Sequence, residues 1–428
     1  MTQATPVSSI PRKRIQSVFG GSVGNLIEWY DWYTYASFAI YFAPAFFPEA
    51  DRTTQLLNSA AIFAGGFLVR PIGGWVLGRY ADRHGRKAAL TLSVLLMCFG
   101  SLLVAVLPGY ATIGVAAPLL LLLARLLQGF SVGGEYGTSA TYMSEVAPPH
   151  RRGFYSGLLY STLILGQLLS IAVLLVLQFV LLTPKQLESW GWRIPFFIGA
   201  LAALAALYLR RNLPETDVFA AARGHHDAGL LRVLAKHPRE VLVVVGLTMG
   251  GTVYFYTFTT YMQKFLLNTV GLTKGESTVI TAASLSLFML MQPLMGALSD
   301  RVGRRPMLIT FGTLALLTTV PLFSALEQAQ DAWTAWLLVM AGLAISSFYS
   351  SISAIVKAEL FPVEIRALGV GLPYAIAGSI FAGSAEYIAL LFKSLGNESG
   401  FYWYVTLCAF GSLLVYIFMR EPQRASRI

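Results

Sequence analysis

A chain of 428 residues with 56% hydrophobic and only 12% charged residues is too apolar for a soluble domain, which carries about 25% charge. The net charge of +10 does not point to nucleic acid, because the basic residues fall in short loops between apolar runs rather than on one face or in a tail. With a mean hydropathy of +0.63 the expected environment is a lipid bilayer, and two cysteines inside apolar runs indicate neither a disulfide framework nor a metal site.

The first 17 residues form a polar tail. Arg12, Lys13 and Arg14 precede a run that contains Glu28 and Asp31 and lacks a small-residue cleavage site, so this run is a first span rather than a signal peptide. A span needs about 20 mostly apolar residues to cross about 30 Å of hydrocarbon. Twelve such runs are placed, near 18–45, 57–80, 88–107, 116–143, 154–181, 192–210, 239–264, 277–298, 307–325, 333–357, 367–391 and 400–419. They are too long, and too free of period-two alternation, for barrel strands, so the predicted fold is an all-α membrane protein.

Within the first span Asn25, Glu28, Asp31 and Tyr35 recur at spacings of three and four, which predicts one helical face. The second span carries Arg70, about 10 residues and hence about 15 Å from its end. It leads into Gly78–Lys87, G-R-Y-A-D-R-H-G-R-K. The fourth span carries Arg125, Gln128, Glu135, Ser139 and Tyr142 on one stripe. Residues 211–238, with His225, His226 and His237, are the longest polar interruption and divide six runs from six; a solvated linker is the expectation.

The seventh span offers Tyr254, Thr257, Tyr261 and Lys264, the eighth Gln292, and the tenth Ser346, Ser347, Tyr349, Ser350 and Ser351. Lys264 and Lys357 lie near run ends and are expected to snorkel to the interface. Gly296–Arg305, G-A-L-S-D-R-V-G-R-R, repeats the earlier loop, both fitting G-x-x-x-D-R-x-G-R-[KR]. A second echo pairs Glu145, Arg152 and Gly157 with Glu359, Arg366 and Gly371. Two corresponding loops in one order mark a duplication. The predicted halves are 18–210 and 239–419, followed by a tail, 420–428. Placing both termini in the cytoplasm puts the repeats and most Arg and Lys on that side.

Six plus six spans with matched loops predict two bundles that rock about a midplane site lying between them. The repeats supply Asp82, Arg83 and Arg86 with Asp300, Arg301 and Arg304 as a charge-paired gate on the cytoplasmic side, although positive-inside topology alone would also retain them. Ionisable residues at membrane depth are expensive and should face a cavity or a partner. Asp31 or Glu28 against Arg125 is the favoured proton-coupling pair, with Glu135 a third acid. Arginine can bind a carboxylate through two parallel bonds, so Arg70 and Arg125 are the candidate substrate cations. Gln128, Tyr254, Thr257, Tyr261 and Gln292 could complete the site as uncharged donors. No nucleophile and base occur at a catalytic spacing and no phosphate loop is present, so no enzyme is expected.

The loop repeats, together with G-N-L-I-E-W-Y-D-W-Y at Gly24–Tyr33 and R-L-L-Q-G-F-S-V-G-G-E-Y-G at Arg125–Gly137, resemble the metabolite:proton symporters of the major facilitator superfamily. That resemblance implies uptake of 2-oxoglutarate with protons across a bacterial inner membrane, by a monomer that uses no cofactor. Citrate, shikimate or a zwitterionic osmolyte remain alternative cargoes in the same fold. A dicarboxylate arriving with one proton still carries negative charge and is opposed by about 2.3 kcal/mol per 100 mV. One pH unit returns about 1.4 kcal/mol per proton, so accumulation favours two or more protons.

Overall fold

The structure is a computed structural model that describes residues 12–84, 86–133, 140, 147–210, 237–362 and 366–419. The side chains of residues 12–25 and of some others, Asp82, Arg83 and Arg86 among them, lie outside the description, as do Glu135 and linker residues 211–236. The described residues are helical and contain no β-strand. The first half comprises α1 (Arg12–Phe46), α2 (Arg52–Leu68), α3 (Arg70–His84), α4 (Arg86–Val106), α5 (Ala116–Val132), α6 (Arg152–Val176) and α7 (Ile194–Arg210). The second comprises α8 (Pro238–Tyr256), α9 (Met262–Asn268), α10 (Lys274–Val302), α11 (Arg304–Glu327), α12 (Ala332–Ser350), α13 (Ser353–Glu359), α14 (Arg366–Ala377), α15 (Ala385–Ser394) and α16 (Glu398–Phe418). Among the described residues eight helical segments are long and apolar enough to cross a membrane, and Thr91–Val106, Ala116–Val132 and Gly191–Ala205 are shorter apolar helices.

Local chemistry sets the helix ends. Asp51 caps α2 by accepting from the amides of Thr53 and Thr54 at 2.8 and 3.1 Å, and Asp331 caps α12 through the Thr334 amide. Thr273 and Glu276 form a reciprocal capping box on α10. Between α10 and α11 the repeat's Gly303 has φ +101°, a conformation that costs glycine nothing and permits the sharp reversal. Within the first bundle α2 and α5 touch backbone to backbone, since a Cβ on Gly129 would lie 1.8 Å from the Gly66 carbonyl oxygen.

Helix irregularities supply three of the hydrogen bonds that join the halves. Pro71 has no N–H to give the Phe67 carbonyl, and α2 breaks at Val69. The freed oxygen accepts from Ser379 Oγ of the second half at 2.6 Å. Pro293 does the same in α10, where the Met289 carbonyl accepts from Ser161 Oγ of α6 at 2.9 Å. The third acceptor, the Thr259 carbonyl, lies in a π-helical turn, Thr257–Tyr261, and receives Gln167 Nε2 at 2.6 Å. Around Pro293, α6 and α10 pack at the closest approach glycine allows. A Cβ on Gly157 would stand 2.3 Å from the Gln292 carbonyl oxygen, and one on Gly153 2.3 Å from that of Gly296.

Candidate functional site

A cavity lies where the halves meet, lined by Glu28 and Trp29 of α1, Phe67, Arg70, Tyr160 of α6 and Tyr374 of α14. The break at Val69 and the proline that follows it place Arg70 at the start of α3, 6% exposed. Its guanidinium stacks on Phe67 at 3.9 Å and on Trp32 at 4.0 Å. Nε and Nη2 are buried with no hydrogen-bond partner among the described residues. These two nitrogens form one edge of the planar fork, the edge that donates two parallel bonds to a carboxylate.

Arg125 is equally buried but does not line this cavity. Its guanidinium lies 4.2 Å from the Trp32 ring and 4.5 Å from Tyr35, so the Trp32 indole serves both arginines. The predicted pairing of Asp31 with Arg125 is bridged rather than direct: Gln128 stands between them. Arg125 Nη1 donates to Gln128 Oε1 at 2.6 Å, and Gln128 Nε2 donates to Asp31 Oδ2 at 2.6 Å. Ser101 Oγ of α4 donates to the other oxygen of Asp31. Gln128 is thereby a bridge between acid and base.

The predicted single face on α1 also divides. Glu28 looks into the central cavity, whereas Asp31 looks into the first bundle, where a Cβ on Gly199 would lie 2.9 Å from its Oδ1. Residues three apart on a helix differ by about 60° in direction, enough to send neighbours of one stripe to different compartments. Tyr35 donates to the Ser59 carbonyl at 3.1 Å.

In the second half the predicted uncharged donors do not line this cavity. Tyr254 packs on Phe258 and Phe311, and Tyr261 on Phe265 and Phe401, both inside the second bundle. Thr257 Oγ1 bonds its own helix at the Val253 carbonyl, 2.7 Å away. Gln292 joins the Phe288 carbonyl to Ser350 Oγ at 3.1 and 2.8 Å. The expectation that Lys264 and Lys357 snorkel is overturned, since both are fully buried. Lys264 Nζ pairs with Glu386 Oε1 at 2.6 Å, and Lys357 Nζ donates to Ser353 Oγ at 2.6 Å beside the Tyr374 ring. Sequence reasoning missed Glu386, although a carboxylate inside the apolar stretch 367–391 is the signal that would have found it.

At one end of the interface Asp300 reaches across from α10 to the start of α6. Its two oxygens accept the Gly153 and Phe154 amides at 2.8 and 2.9 Å, capping unsatisfied N–H groups at the positive end of that helix. Arg304 Nη1 holds Asp300 at 2.9 Å, and its Nε lies 3.7 Å from Glu359. Asp300 is thus held by two backbone amides of the first half and by Arg304 of its own repeat. Arg301 is exposed. The side chains of Asp82, Arg83 and Arg86, and all of Glu135, are outside the described residues.

Residues 18–240 match the Sugar (and other) transporter family and residues 260–428 the Major Facilitator Superfamily. The chain is 54% identical over 421 residues to the alpha-ketoglutarate permease of Escherichia coli (strain K12), covering 98% of this chain and 97% of that protein. It is 35% identical to the citrate-proton symporter of Salmonella typhi, covering 96% and 94% of the two chains. In three dimensions it superposes on the xylose transporter XylE from E. coli with a TM-score of 0.76 at 18% identity, over 95% of this chain and 98% of that one.

Proposed function

The chain belongs to the metabolite:proton symporters of the major facilitator superfamily, and from that membership we propose that it imports 2-oxoglutarate with protons by alternating access. The observation that carries the substrate assignment is the buried, unpartnered Nε–Nη2 edge of Arg70 at the wall of a cavity between the halves. Such an edge suits one carboxylate of a dicarboxylate, while Glu28 at the same cavity supplies a nearby acid. The names of the relatives support the same cargo, 2-oxoglutarate in one and an organic acid moved with protons in the other. No catalytic chemistry is involved.

In this reading twelve spans cross a bacterial inner membrane with both termini cytoplasmic. Residues 18–210 and 239–419 form the two moving bodies, 211–238 link them, and one chain suffices for transport. The network Asp31–Gln128–Arg125 carries a proton, because an acid linked to a buried arginine through one amide changes charge when that arginine changes partners. The test is purified protein in liposomes with labelled 2-oxoglutarate, an imposed proton gradient and unlabelled competitors. Uptake that rises with the gradient and yields to 2-oxoglutarate before citrate or betaine supports the assignment. Uptake indifferent to the gradient, or blocked first by citrate, refutes it.

The Asp300 cluster is the cytoplasmic gate. Removing one partner of a buried charged pair costs up to about 3–5 kcal/mol; here Glu359 still faces Arg304, so the loss falls mainly on the charge-assisted bonds Asp300 accepts from the Gly153 and Phe154 amides across the seam. Asp300→Asn therefore opens the α6–α10 seam. With Ser161→Cys as reporter in a background free of Cys98 and Cys408, alkylation from the cytoplasmic side should accelerate at least about tenfold. An unchanged rate would make Asp300 a fold element only.

A further inference from the structure

Lys264 and Glu386 form an ion pair that the proposed transport chemistry does not use. Each comes shortly after a π-helical turn: Thr257–Tyr261 precedes Lys264, and Gly378–Ala382 precedes Glu386. The pair lies on the side of the cavity away from Asp300, about 12 Å along the helix from Gly378 at the cavity wall. Lys264 is fully buried and Glu386 4% exposed. Burying two charges costs several kcal/mol per ion, which a pair recovers only when its remaining donors and acceptors are bonded. Here they are not all bonded: Glu386 Oε2 is buried with no hydrogen-bond partner among the described residues. A pair kept only to fix packing would be expected to satisfy that oxygen.

Its placement points across the interface. α15, which carries Glu386, packs on α2 of the other half. Tyr35 of α1 lies within electrostatic reach of Glu386, and the Arg125 guanidinium sits against the same tyrosine ring. Tyr35 thus has the first bundle's acid–amide–arginine network on one side and the Lys264–Glu386 pair on the other.

We propose that Lys264 and Glu386 form a second proton-coupled carboxylate station, where an incoming dicarboxylate replaces Glu386 on Lys264 while Glu386 takes up a proton. The inference rests on the dicarboxylate-with-protons reading. In the step, the Lys264 N–H···Oε1 contact breaks and a proton from the outer solution bonds to the Glu386 carboxylate, which becomes a neutral acid. The ammonium keeps its three protons and donates to the substrate carboxylate. When substrate leaves, the carboxyl releases its proton inward and the original pair re-forms. With one proton on the Asp31 network and one on Glu386, a dicarboxylate crosses as a neutral assembly, which removes the electrical opposition to its uptake.

The surrounding ionisable groups leave Glu386 as the carrier. Tyr35 and Tyr261 face it but stay neutral near pH 7. Tyr254 and Tyr256 of α8 and Tyr402 and Tyr404 of α16, on the neighbouring helices, are neutral too. On α16, Glu398 is engaged by Lys393 Nζ at 2.9 Å and by Thr269 Oγ1 at 2.5 Å. The charged residues of α2 and α8 are Arg52, Arg239 and Glu240, all at helix starts.

The test is the number of protons per 2-oxoglutarate, read in proteoliposomes held at zero membrane potential from the pH gradient that brings net flux to zero against a fixed substrate gradient. Glu386→Gln should lower that number by one and cut accumulation about tenfold at a one-unit pH gradient. Lys264→Met should raise the apparent KM at least about tenfold. Should either single variant fail to fold, Lys264→Met/Glu386→Met removes both charges without orphaning one, and the same loss of one proton is expected. A wild-type proton number in Glu386→Gln, or in the double variant, would overturn the proposal. Wild-type protein whose uptake ignores the proton gradient would instead refute the reading beneath it, so the two failures are distinguishable.

Discussion

Arg70→Lys is expected to reduce 2-oxoglutarate binding about a hundredfold or more while the protein remains folded. The arginine holds its place by stacking on Phe67 and Trp32, and it presents Nε and Nη2 together as a flat donor edge. Lysine keeps the charge but offers a compact point donor on a flexible stem, so it forfeits one of two parallel bonds and the stacking that aims them. A hydrogen bond to a charged group contributes about 1.5–3 kcal/mol, and the lost pre-orientation adds to that. Calorimetric affinity checks the effect, with the unfolding temperature measured alongside. Affinity within threefold of wild type would remove Arg70 from the site.

Asp31→Asn is expected to lower the steady-state accumulation of 2-oxoglutarate about tenfold at a one-unit pH gradient, because each coupled proton contributes that factor. Asparagine keeps an oxygen for Ser101 or Gln128 but cannot gain or lose a proton. Exchange of labelled for unlabelled substrate needs no net proton movement and should fall less than accumulation does. Were Asp31 only a packing element, the substitution would lower the unfolding temperature and leave the accumulation ratio of the surviving protein at the wild-type value.

The apolar runs, the duplicated loops and the inward placement of Arg70, Asp31 and Arg125 were legible because membrane depth penalises charge so heavily that its presence is informative. Which wall each residue faces was not. Glu28 and Asp31 share a stripe yet serve different compartments, a distinction finer than spacing resolves. Tyr254, Thr257, Tyr261 and Lys264 read as one face, but the π turn at Thr257–Tyr261 adds a residue and rotates the remainder of the helix by about 100°. Lys264 reads as an interfacial lysine only if its span ends there. The helix continues to Asn268, which buries the ammonium, and its partner lies 122 residues away. Asp300 was legible as a singular acid in a repeated loop, but its partners were not, since backbone amides leave no signature in residue type.

The central claim, that the Nε–Nη2 edge of Arg70 receives a substrate carboxylate, is tested most directly by an experimental structure of this protein with 2-oxoglutarate bound. The expected result is one carboxylate on both nitrogens at about 2.7–2.9 Å, between Trp29 and Tyr374. Substrate held elsewhere, with the Arg70 edge still unpartnered, would contradict it.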